Sequence, residues 1–182
     1  MMEVLFRIVI ICIIGTLLHF TYEMSKHNKI VGLFSAVNES VWEHIKIALT
    51  PTILITLLLG FNDFCYGSFF EGLFISLFSI IILIPILFYT YTYFTKKSVL
   101  TIDVICFYIT VTISQLLYDT LVNIDTSLLV DYLSLIGIII IIIIYSVLTL
   151  LPIKNGLFKD PITKKYGVKG HSHKHKHKNK KK

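Results

Sequence analysis

Charged residues are scarce in this chain. Only 15% of its 182 residues are Asp, Glu, Lys or Arg, whereas 55% are hydrophobic, and the mean hydropathy is +0.78. Soluble globular domains carry about 25% charged residues. The composition therefore excludes a soluble domain and predicts an integral membrane protein.

Cysteine and the short catalytic motifs are also scarce. The three cysteines are Cys12, Cys65 and Cys106, and no two of them form a CxxC pair. This pattern excludes a disulfide framework and a cysteine metal motif. The chain has no HExxH motif and no GxSxG motif, so two common hydrolase signatures are missing. No internal repeat is apparent, which counts against a transporter built from paired halves.

Five long apolar segments dominate the sequence. Each approaches or exceeds the roughly 20 residues that a helix needs to cross a hydrocarbon core, and runs of this length indicate helices rather than barrel strands. We predict an all-α membrane domain, residues 1–153, followed by a disordered, basic, His-rich tail, residues 154–182. The predicted spans are residues 4–23, 41–60, 69–94, 99–121 and 128–151. The first lacks a small-x-small cleavage site, so we expect a retained helix.

Basic residues are distributed unevenly along the chain. Residues 152–182 hold 11 of the 17 Lys and Arg residues and a single acid, Asp160. Five crossings place this tail on the same side as the loops after the first and third spans, which carry four further lysines, whereas the opposite side has only Arg7. The positive-inside rule then predicts an outside N-terminus and a cytoplasmic C-terminus.

Ionisable side chains gather where the first two predicted spans approach the cytoplasmic side. Such residues are costly inside a membrane and commonly mark functional sites. His19 and Glu23 are spaced i,i+4, as are Glu39 and Glu43, so each pair shares a helix face. His44 follows Glu43 directly. We therefore predict that these side chains lie in one layer.

Mixed imidazole and carboxylate ligands suit a divalent transition metal such as Zn²⁺, Mn²⁺ or Fe²⁺. In this hypothesis His19, Glu23 and His44 bind the ion, while Glu43 or Glu39 acts as general base on metal-bound water. The other polar residues that we assign to the site are Asn38, Trp42 and Asp103.

Structural roles offer an alternative for several of these residues. Ser40 and Glu43 have the spacing of a capping box, and Glu39 near a helix start favours the macrodipole. Trp42 fits an interfacial aromatic belt, and Lys46 can extend its ammonium to the interface. These roles do not explain the clustered histidines.

Three functions remain open at this point. The first is a metal-dependent hydrolase that acts on a lipid-like or membrane-embedded substrate. The second is a metal-ion transport or binding protein that uses the same cluster. The third is a non-catalytic membrane protein that docks a partner through Trp42 and its neighbours. A one-sided cluster slightly favours the enzyme, although site content alone does not determine function.

The last part of the tail, residues 170–182, alternates His and Lys without apolar residues, and such a segment cannot fold by itself. We expect it to contact anionic lipid head groups of the bilayer, and no nucleic-acid partner is expected. Weak metal binding is the second expectation, because the intervening lysines repel cations. The histidines concerned are His171, His173, His175 and His177.

Two stretches carry a family resemblance, residues 15–23 (GTLLHFTYE) and residues 32–46 (GLFSAVNESVWEHIK). They resemble a domain-of-unknown-function family of small multi-pass membrane proteins from Gram-positive bacteria. The resemblance is specific over residues 15–51 and continues at Asp160-Pro161, Tyr166-Gly167 and Gly170-His171. It implies a bacterial plasma membrane and a site near the motif, without an assigned activity.

Overall fold

The computed structural model describes residues 2–60, 68–124 and 126–168. Cys65 and the four tail histidines lie outside these described residues. Five of the helices are long and apolar enough to cross a membrane, which confirms the predicted all-α membrane fold. The helices are α1 (Met2–Met24), α2 (Lys29–Phe34), α3 (Val41–Leu59), α4 (Phe69–Thr95), α5 (Leu100–Leu121) and α6 (Leu128–Leu150).

Helix α3 lies at the centre of the bundle. Within its most apolar 18-residue stretch, 72% of the residues are buried, compared with 22–33% for the other four candidate spans. The mean hydropathy of this stretch, 1.3, is the lowest of the five. The two observations have one cause, because a helix covered by protein can carry polar side chains that lipid would not accept. Helices α1, α4 and α5 pack around α3, and α6 packs on α4.

A buried ion pair fixes the start of α3. The Lys46 ammonium lies 2.6 Å from the Glu43 carboxylate, and the two side chains are only 0% and 2% exposed. Glu43 also accepts a hydrogen bond from the Val37 amide at 3.0 Å. Lys46 donates to the Gly32 carbonyl at 2.7 Å and to the Thr149 hydroxyl at 3.1 Å. These bonds connect α3 to α2, to α6 and to the chain between α2 and α3.

Two of our structural expectations at this helix start are therefore wrong. Lys46 is buried and does not extend to the interface. The capping box is replaced by other bonds, since Glu43 accepts from Val37 and the Ser40 amide donates to the Asn38 side-chain oxygen at 2.8 Å.

The chain after α6 returns to the bundle. Residues 152–168 include the 3-10 turn Gly156–Phe158, and the Phe158 ring packs on Trp42 with 4.7 Å between centroids. The Asn38 side-chain amide donates to the Gly167 carbonyl at 3.0 Å. Residues 152–168 therefore pack on the start of α3, beside the polar residues Asn38 and Trp42.

Candidate metal centre

Three side chains from separate parts of the chain converge on one side of the bundle. His19 comes from α1, Glu39 from the connection before α3, and His44 from the first turns of α3. One potential ligand atom from each lies within 4.8 Å of the other two. The His19 Nε2 atom is 3.6 Å from a Glu39 carboxylate oxygen, and the two imidazole centroids are 5.7 Å apart. All three side chains are partly buried.

The backbone orients the His44 ring. Its Nδ1 atom lies 2.9 Å from the Ser40 carbonyl oxygen. A carbonyl oxygen can only accept a hydrogen bond, so Nδ1 must carry the proton and Nε2 then has the lone pair in the neutral ring. Metal-binding histidines commonly donate their second ring N–H to such an acceptor, which sets the tautomer and the ring orientation. His44 is therefore prepared to act as a ligand.

The close approach of α1 to its neighbours depends on Gly15, one turn before His19. A Cβ atom at Gly15 would lie 2.9 Å from the Ile47 backbone oxygen and 2.5 Å from the Phe107 ring. Only glycine leaves space for this contact without displacement of the backbone. The contact allows α1, which carries His19, to lie close to α3, which carries His44.

We expect Gly15→Ala to destabilise the bundle by about 1 kcal/mol or more, because overpacking outweighs the gain of about 1 kcal/mol in helix propensity. The displaced α1 should also weaken metal binding at His19. Equilibrium unfolding in mixed micelles and a metal titration measure the two effects. Gly156→Ala is the matched control, since its nearest neighbour would be 3.7 Å from the new Cβ. Equal stability of the two variants would contradict the prediction.

A cavity of about 140 Å³ opens beside the two histidines, between α1, α3 and α5. Apolar residues supply most of its lining, including Phe20, Ile47 and Phe107. Asp103 of α5 faces the same cavity and accepts a hydrogen bond from the Tyr91 hydroxyl. The centre therefore combines three candidate ligands, one further carboxylate and an apolar pocket.

The other predicted site residues occupy different positions. Glu23 is exposed near the end of α1 and is not in the cluster of candidate ligands. Glu43 is buried in its ion pair with Lys46. Asn38 and Trp42 hold the segment that follows α6. The structure thus brings together His19, Glu39 and His44, with Asp103 at the adjoining cavity.

Tyr91 was not among the predicted site residues, although its hydroxyl donates to Asp103. Helices α4 and α5 are antiparallel neighbours joined by a short turn at Lys96 and Lys97. Positions 91 and 103 are equally distant from residue 97, so a hairpin at that residue brings Tyr91 opposite Asp103. This symmetry was available in the sequence. The bond between the His44 ring and the Ser40 carbonyl, in contrast, could not be predicted from residue types, because every residue has a backbone carbonyl.

Comparison with known protein families gives one result. A family model described as a family of unknown function, DUF6512, matches residues 2–168. The chain belongs to this family. The DUF6512 match covers all six helices and the segment that packs on Trp42, and it confirms the resemblance to an uncharacterised family. No curated protein and no solved structure matches the chain.

Proposed function

We propose that this membrane protein is a metal-dependent hydrolase in which His19, Glu39 and His44 bind a divalent transition metal. The observation that carries the proposal is the convergence of three ligand atoms within 4.8 Å beside an apolar cavity. Two imidazoles and one carboxylate are a ligand set of catalytic zinc sites, which keep a fourth position for water or substrate. Mn²⁺ and Fe²⁺ also bind such ligands.

The donor spacing fits such an ion. Tetrahedral ligands with bonds of about 2.1 Å lie about 3.4 Å from one another. The His19–Glu39 distance of 3.6 Å is already close to this value. The other two donor separations are at most 4.8 Å, and rotation of the side chains would be needed to reach the same spacing. A bound ion would supply hydroxide near neutral pH by lowering the pKa of its water.

Asp103 is the side chain that we propose as general base. Glu39 is occupied as a ligand, and the Glu43 carboxylate is paired with Lys46. Asp103 lines the cavity that His19 and His44 also line, and its bond from Tyr91 orients the carboxylate. The apolar lining favours a lipid-like substrate whose hydrolysable bond reaches the metal centre.

We also propose a bacterial plasma membrane, a cytoplasmic C-terminus and a tail in contact with anionic lipid.

A metal-ion transport protein is the second candidate. Within the described part of the chain, several fully buried polar side chains of α3 and α5 contain atoms without a hydrogen-bond partner, namely Thr52, Thr56, Thr110 and Gln115. Such groups commonly bind ordered water, which favours a polar path through the bundle. A docking role for Trp42 has less support, because its side chain is only 8% exposed and is covered by Phe158.

We expect the purified full chain to contain about one divalent metal ion. His19→Ala, Glu39→Ala and His44→Ala should each weaken metal affinity by more than about a hundredfold, since loss of an outer-shell partner alone costs about 10–100-fold. Elemental analysis of protein prepared without an affinity tag measures the metal, and circular dichroism confirms folding.

The chain contains matched controls for this experiment. Glu23→Ala and His27→Ala remove the same residue types at exposed positions outside the cluster and should retain the metal. Substitution of the four tail histidines by Asn should remove only weak, additional metal. Equal metal content in the three cluster variants and the two controls would refute the proposed centre.

A further inference from the structure

A large basic groove lies beside the end of α6, separate from the metal centre. Its volume is about 1040 Å³. Among the described residues that line it there is no acidic side chain, whereas four are lysines: Lys29, Lys154, Lys164 and Lys165. Uncompensated positive charge of this density selects an anionic ligand.

The backbone holds two of these lysines, Lys164 and Lys165, in a folded turn. The Asp160 carboxylate accepts hydrogen bonds from the Ile162 amide at 2.7 Å and the Thr163 amide at 3.1 Å. The Asp160 amide donates to the Lys165 carbonyl, and the Lys164 amide donates to the Asp160 carbonyl, at 2.9 and 3.0 Å. This turn places Lys164 and Lys165 side by side on one wall of the groove.

The conformation of Lys164 also has an energetic cost. Its φ angle is +60°, a left-handed conformation that is uncommon for residues other than glycine. Here the Asp160 bonds impose the conformation, so the backbone of Lys164 and Lys165 has a defined position before any ligand arrives.

The position of the groove identifies the class of ligand. Leu150 and Leu151 mark the end of the last candidate span and are 51% and 73% exposed. Both line the groove together with the lysines. A soluble anion would need only the charges, whereas a phospholipid presents a phosphate beside its acyl chains. Basic pockets at the ends of membrane helices bind anionic lipid head groups in this way.

We propose that the groove binds an anionic phospholipid. The four lysines contact the phosphate group, and Leu150 and Leu151 contact the first part of the acyl chains. The site consists of described residues. Three of its lysines belong to the tail, residues 154–182, so this inference rests on the proposed contact of the tail with anionic lipid and assigns that contact to one groove. It does not depend on metal binding at His19, Glu39 and His44.

Native mass spectrometry of the detergent-solubilised full chain tests the proposal. Wild-type protein should retain phosphatidylglycerol at least tenfold more strongly than phosphatidylcholine, because each lysine near the surface favours anionic lipid. The groove variant Lys29→Gln, Lys154→Gln, Lys164→Gln, Lys165→Gln should lose this preference. Replacement of the same four lysines by Arg should preserve it, since the positive charges remain.

A control variant carries the same change of charge outside the groove. In this variant Gln replaces four lysines that are exposed and absent from the lining, namely Lys26, Lys96, Lys97 and Lys159. It should bind phosphatidylglycerol within about twofold of wild type. Equal losses in the two Gln variants would reduce the effect to general electrostatic attraction and overturn the site. Equal displacement of the lipid by soluble glycerol phosphate would overturn the phospholipid assignment.

Discussion

Replacement of Asp103 by Asn is expected to slow turnover of a lipid substrate by about 10²–10⁴-fold, the contribution of a positioned general base. Metal content should remain unchanged, because Asp103 is not among the three clustered ligands. The rate is measured as product released from a bacterial lipid extract incubated with purified, metal-loaded protein. Mass spectrometry identifies the products.

The Tyr91→Phe variant and the metal content of each protein are needed to interpret the rates. Tyr91→Phe removes the hydroxyl that orients Asp103 and should reduce the rate less than Asp103→Asn does. If Asp103→Asn also removed the metal, Asp103 would be a ligand rather than the base. If the wild-type protein bound metal but hydrolysed no lipid in the extract, the centre would support the transport or binding function instead.

Lys46→Met is expected to lower the free energy of unfolding by about 3–5 kcal/mol, because it leaves a buried carboxylate without its counter-ion. Lys46 also holds the Gly32 carbonyl and the Thr149 hydroxyl, so both would lose a donor. The measurement is equilibrium unfolding in mixed micelles. Lys26→Met, at an exposed position, should change stability by less than about 0.5 kcal/mol.

The double variant Glu43→Gln, Lys46→Met distinguishes the effect of an unpaired buried charge from the effect of losing the Lys46 side-chain contacts. With both charges removed, the remaining polar group of residue 43 can still accept from the Val37 amide. We therefore expect the double variant to be more stable than Lys46→Met alone, as is common when a buried ion pair is replaced as a unit. If the losses in free energy of unfolding caused by the two substitutions were additive, Glu43 and Lys46 would act independently. The ion pair would then not stabilise the start of α3.

The sequence was sufficient for the five long helices, although not for the short helix α2, and for part of the candidate metal centre. Span length and hydropathy determine the five long helices, because lipid permits few other structures. Antiparallel neighbours with short connections also bring His19 and His44 to the same level. These inferences use regular geometry, which a sequence encodes directly through its spacing.

The identity of the candidate carboxylate ligand, Glu39, could not be obtained in this way. The i,i+4 argument treats Glu39 and Glu43 as one helix face, but α3 begins at Val41, so Glu39 lies on irregular backbone. Its direction is determined by the chain between α2 and α3, whose bends follow no periodic rule. Glu43 turns instead toward Lys46, a pairing that burial of both charges requires.

The packing of residues 152–168 was equally hidden from composition. The segment is basic, and basic residues are usually solvated. Its contact with the bundle depends on single groups, the Phe158 ring on Trp42 and the Gly167 carbonyl at Asn38. A few apolar residues dispersed among lysines give a weak signal, and Trp42, the partner of Phe158, lies more than 100 residues earlier in the chain.

The central position of α3 has a consequence for biogenesis. A segment with a mean hydropathy of 1.3 that carries Glu43 and Lys46 partitions into lipid less readily than the other four candidate spans. Its polar groups are satisfied only when α2, α6 and the preceding connection are in place. Stable insertion of the second span is therefore coupled to completion of the chain, because Thr149 of the last helix supplies one of the bonds to Lys46. Nascent chains truncated before α6 should hold α3 loosely in the membrane and be exposed to quality-control proteases.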